Sequence, residues 1–184
     1  MTDGHENREP RSPIQRYFAG LAENTFHSQL GVVDPPMIDY LTELLIRSIR
    51  SDVVHRIRSV TGQPLMSVHE MVAEASSRLG DAKRELHQHI GDFTLFWAGI
   101  YPEALRGAGD DDASGKFEVY CSFGKRSYRI ASEIMAAADD APPATLLERL
   151  SDRFDLCCYG LREVRRQWES GEDENFGPGS ILLN

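Results

Sequence analysis

The stretch HQHIGDFTLFWAGIYPEAL, His87 to Leu105, decides the fold. Read as an α-helix turning about 100° per residue, it places Phe96, His89, Ile100, Phe93, Leu86, Trp97, Ile90 and Tyr101 on one continuous arc. Gly91, Ala98, Thr94 and His87 fall on the far side. An arc this wide marks a helix at the centre of a core. His89 is the anomaly, an ionisable ring within the apolar arc. Asp92 follows it by three residues, a spacing at which helical side chains meet, and Glu85 lies one turn back.

Working outward, Val68, Val72, Ala75 and Leu79 lead into this helix with a spacing alternating between three and four. Ser67 and Glu70 form a capping box at its start, Gly80-Asp81 can break it, and Pro102 must kink or end it. Beyond the loop Gly107 to Gly115, Lys116 to Ala138 reads as an amphipathic helix. Its inner face carries Tyr120, Phe123, Gly124, Ser127, Tyr128 and Ala131. Toward the N-terminus, Ser12-Pro13 with Gln15 begins one helix and Asp34-Pro35-Pro36 begins another. After Pro142-Pro143 a last helix runs to Trp168, and Leu147, Leu150, Phe154, Cys157, Leu161, Val164 and Trp168 give it a coiled-coil-like seam. No period-two strand pattern occurs. The expectation is an all-α, single-domain helical bundle of five or six helices over residues 12–169, with a disordered N-terminus (1–11) and a flexible C-terminal tail (170–184).

Composition narrows the class. A net charge of −9 argues against nucleic-acid binding, which needs a basic footprint. Three cysteines, two of them adjacent, make neither a disulfide framework nor a zinc pattern. The polar N-terminus has no apolar signal segment, and no apolar run reaches the length of a membrane span. A soluble, acidic, cytoplasmic protein is expected, with no membrane contact.

Five features are candidates for function. His89, Asp92 and Glu85 could bind a metal or move a proton, or His89 could simply be a core histidine with a carboxylate partner. The small residues Gly124, Ser127 and Ala131, flanked by Tyr120 and Tyr128, form a notch. Facing Phe93, Phe96 and Trp97 with His89 and Asp92 nearby, it could take haem or a flat aromatic cofactor, or just a packed helix. Asp110, Asp112 and Ser114 begin a calcium-loop pattern, but Cys121 stands where the bidentate carboxylate belongs. Lys125, Arg126 and Arg129, with Arg47, Arg50, Arg56 and Arg58 elsewhere, could meet a phosphate or an acidic partner, or face solvent. The seam of the last helix, or the apolar tip Ile181-Leu182-Leu183, could hold a second copy of the chain or a protein partner.

His89 to Glu103 (HIGDFTLFWAGIYPE) and Tyr120 to Tyr128 (YCSFGKRSY) together resemble an uncharacterised all-helical family of bacterial proteins. The resemblance implies that the two stretches form one structural unit, and it brings no activity, cofactor or catalytic residue. With no nucleophile–base constellation or phosphate loop in the sequence, the expected function is binding or interaction without catalysis. The alternative is a bundle that binds haem, metal or a flat cofactor near His89 and Asp92, as an oxidoreductase or a sensor would.

Overall fold

A computed structural model of the chain describes residues 12–50, 67–106 and 113–171. These form eight α-helices: α1 (Pro13–Glu23), α2 (Pro35–Arg50), α3 (Val68–Ser77), α4 (Gly80–Ile100), α5 (Pro102–Arg106), α6 (Ala113–Glu133), α7 (Ala144–Asp152) and α8 (Phe154–Ser170). A π-helical turn, Asn24–Gln29, continues α1. The all-α class holds, and the helix count exceeds expectation for local reasons. Gly80 takes φ +55, which separates α3 from α4. Pro102 starts the short α5. The last helix is not continuous, since Arg153 at φ −107 and ψ 21 divides it into α7 and α8. Further on, α6 begins at Ala113, inside the stretch Gly107 to Gly115 expected as a loop.

The caps follow the sequence. Ser12 and Gln15 close a capping box on α1, and Ser67 and Glu70 close one on α3. Asp34 accepts the backbone N–H of Met37 at the start of α2 and is gripped by Arg149 of α7 at 2.7 Å. A carboxylate that caps one helix and pairs with a cation on another fixes their relative position.

At the centre, α4 packs against α6, α8 and α3, and against the short α5. The helix is buried nearly all round, and its deepest side is the one the helical wheel turned outward. Thr94, Leu95 and Ala98 are fully buried, while Phe93, Phe96 and Trp97 are only half-buried. Small residues explain the inversion, because they let neighbouring helices approach more closely than bulky ones do. A Cβ on Gly91 would stand 2.6 Å from the Tyr128 ring. One on Gly124 would stand 2.3 Å from the Phe154 ring and 2.5 Å from Thr94 Oγ1. The seam of α7 and α8 is consumed in the same core: Leu147, Leu150, Phe154, Cys157, Leu161, Val164 and Trp168 are all buried within the chain. It offers no surface to a partner.

Buried Arg84 ties α4 to the end of α6. Its guanidinium donates to the carbonyl of Ile134 at 3.1 Å, at the C-terminal end of α6 where the helix dipole favours a cation, and to the carbonyl of Pro142 at 2.5 Å.

Two glycine substitutions should move stability in opposite directions. Gly124→Ala drives a methyl into Phe154 and should cost about 1–3 kcal/mol. Gly20→Ala on the open face of α1, where a Cβ meets nothing within 4 Å, should add about 0.5–1 kcal/mol. Urea unfolding of both variants reads the two signs.

Candidate functional site

Asp92 is the polar centre of α4. Its Oδ1 accepts a hydrogen bond from Tyr40 Oη of α2 at 2.6 Å and another from Tyr128 Oη of α6 at 2.8 Å. Its Oδ2 faces Arg47 Nη2 at 3.4 Å. Gln88 donates to the Tyr40 hydroxyl at 3.3 Å. Three donors on one carboxylate suit its ionised form, but burial opposes that form and wins, so the Asp92 carboxyl sits above its usual range. Burial, and then the carboxylate itself, push both tyrosine hydroxyls well above their ordinary value, so they stay protonated as donors.

The pairing of His89 with Asp92 does not form. The i, i+3 spacing permits it, but the hydroxyls of two other helices take the carboxylate instead. His89 stacks on Phe93, with ring centroids 6.4 Å apart, and burial lowers its pKa to about 4. Glu85 is exposed. Among the described residues no three histidine, cysteine or carboxylate side chains group as a metal site would require. Asp110 and Asp112 lie outside the described residues, and Ser114 falls in the first turn of α6.

The other expected cofactor residues separate as well. Gly124 faces Phe154 and Thr94, not the Phe93–Trp97 arc, so the notch is filled by protein. Tyr120 packs on Phe93 at 6.1 Å. Tyr128 belongs to the Asp92 cluster. Ser127 alone of the notch borders open space.

That space is a cleft of about 390 Å³ between α3, α4 and α6. Each helix lines it with side chains one turn apart: Val72 and Ser76 from α3, Lys83 and His87 from α4, and Phe123, Arg126, Ser127 and Ile130 from α6. His87, which the wheel turned to solvent, is buried at its edge, with Nδ1 3.4 Å from Ser127 Oγ. Burial first, and then the charges of Lys83 and Arg126, lower its pKa to about 4. The Ser127–His87 pair is therefore a poor nucleophile and base. Taking the serine proton would create an imidazolium beside two cations, and no carboxylate lines the cleft to hold it.

The basic residues of the sequence divide in the same way. Lys125 pairs with Asp155 at 2.7 Å, and Arg129 with Glu148 at 2.7 Å and with Asp152. Arg47 reaches Asp92. The side chains of Arg50, Arg56 and Arg58 lie outside the described residues. Lys83 and Arg126 face the cleft, and among the described residues neither has a carboxylate partner. The sequence reading missed His87 and Lys83 because a wheel built on α4 alone cannot see the ring of small residues that turns its polar side inward.

The three cysteines are free and buried. Burial pushes the Cys157 thiol up to about 12, which leaves it an inert packing group. Among the described residues no helix is long and apolar enough to cross a membrane. No family model, curated protein or solved structure matches this chain.

Removing one donor isolates the value of the Asp92 cluster. Tyr128→Phe should cost about 1–3 kcal/mol by leaving a buried carboxylate short of a partner. At this chain length that lowers Tm by about 2–4 °C per kcal/mol in a thermal melt.

The histidines set an acid limit. A folded pKa of about 4 against an ordinary 6.5 means that the contribution of His87 and of His89 is complete above 6.5 and is lost as pH falls toward 4. Asp92 acts in the opposite sense. Its raised pKa means that its contribution is complete below the ordinary value of 3.8 and declines as pH rises through the folded value. The double variant His87→Gln/His89→Gln should lose less stability than the parent between about pH 7 and about pH 5 in urea titrations.

Proposed function

We propose that this chain is a binding protein without catalytic activity, and that its ligand sits in the cleft between α3, α4 and α6. The observation that carries the reading is the cleft itself. Three helices supply apolar walls, a neutral imidazole and a hydroxyl at its edge, and two cations free of carboxylates. Small-molecule sites are commonly concave and apolar with a few convergent polar groups. The Asp92 cluster supports this reading as a scaffold, since its carboxylate is fully engaged by tyrosines and arginine. The free thiols support a reducing, cytoplasmic setting.

The test is titration of the full chain with Nile red, a neutral, flat fluorophore. Saturable binding of one probe per chain is expected. Ser76→Trp, placed on an exposed cleft position, should weaken it by at least about tenfold by filling the space, with thermal unfolding unchanged. Binding that is indifferent to Ser76→Trp would place the probe elsewhere and remove the reading.

A second reading rests on the half-buried aromatic run Phe93, Trp97 and Tyr101 beside His89. Trp97 Nε1 is buried there with no hydrogen-bond partner among the described residues. A neutral His89 ring and an unused indole donor suit a haem or another flat cofactor carrying an acceptor. A visible absorption band in native protein, lost in His89→Ala, would support it. A colourless, metal-free protein would end it.

A further inference from the structure

We infer that the ligand of this cleft is a single-chain amphiphile with an anionic carboxylate head, the head held between Lys83 and Arg126 and the chain lying on Val72, Phe123 and Ile130. The inference rests on the proposed binding role of the cleft and adds the chemistry of what it binds.

Charge identifies the head. The chain carries 29 acidic and 20 basic side chains, an excess of carboxylates. Arg47, Arg78, Lys125, Arg129, Arg149, Arg165 and Arg166 each pair with one. Lys83 and Arg126 come from different helices and line one cleft, and among the described residues neither is neutralised. The lining contains no carboxylate to repel an anion. His87 responds to the same field, since both cations push its ring toward the neutral form. A neutral ring and the Ser127 hydroxyl can then offer hydrogen bonds to a carboxylate without adding a third positive charge to the site.

Shape and lining identify the chain. Val72, Phe123 and Ile130 lie on α3 and α6, and Phe123 also packs against the small apolar cluster of Val68, Met71, Ala75, Leu86 and Ile90. An apolar wall continuous with core packing gains from covering a hydrocarbon. A volume of about 390 Å³ is near the small end of ligand pockets, which suits one short acyl chain better than a two-chain lipid.

The experiment is isothermal titration of the full chain with octanoate, octanol and octyltrimethylammonium, with Nile red displacement run in parallel. Octanoate should bind one per chain and displace the dye, while the cationic analogue should bind at least about tenfold more weakly. The double variant Lys83→Gln/Arg126→Gln should weaken octanoate by a similar factor and bring its affinity level with that of octanol. Octanoate affinity should also fall as salt rises. Equal affinity for the three head groups, or no loss in the double variant, would overturn the anionic assignment and leave the cleft as a neutral site. Failure of the parent chain to bind Nile red in the absence of octanoate would overturn the cleft reading, and the anionic assignment with it.

Discussion

The carboxylate of Asp92 is the constraint on which the arrangement of helices depends. One oxygen receives hydroxyls from α2 and α6, and Arg47 of α2 faces the other. Burial makes the charge costly, and the three donors offset only part of that cost, as the raised pKa records. The return is positional. Tyr40 and Tyr128 must reach the same atom, so the rotation and height of α2, α4 and α6 are specified together. Apolar packing alone tolerates sliding, whereas this convergence does not.

Glycine makes the convergence possible. Tyr128 reaches Asp92 with its ring close against Gly91, the residue just before the carboxylate, where any Cβ would collide with it. The same close approach of α6 to α4 brings Ser127 to His87 one turn away and opens the cleft beside them. Scaffold and cleft are thus consequences of one helix pair, set at its distance by Gly91 and Gly124.

The fold was largely legible in the sequence. Both capping boxes, the helix restart at Asp34 and the buried seam of the last segment follow from local chemistry and from spacing of three and four. The break at Arg153 was not legible, because the seam keeps its spacing across it. The site was legible only in its neighbourhood. His89, Asp92, Tyr120, Gly124, Ser127 and Tyr128 all sit on the α4–α6 pair, yet the structure distributes them among an aromatic stack, a carboxylate cluster, a filled notch and a cleft. A helical wheel ranks faces by hydrophobicity, so it placed Phe93 and Trp97 inward and His87 outward. Contact distance ranks them differently: glycine and threonine face the closest neighbours, and the bulky rings are left at the margin.

The apolar side chains of the core fall into two clusters, and α3 belongs to the smaller one. Val68, Met71 and Ala75 pack with Leu86 and Ile90 of α4, apart from the main body of buried residues around Phe18, Leu41 and Phe154. A helix held by so limited a cluster can detach as its own cooperative unit without melting the rest, so its amides exchange with solvent at a lower free energy than those of α4. Because α3 also supplies one wall of the cleft, local unfolding of this helix removes that wall. Any molecule that spans the cleft from α3 to α6 therefore favours the folded helix and slows exchange along α3.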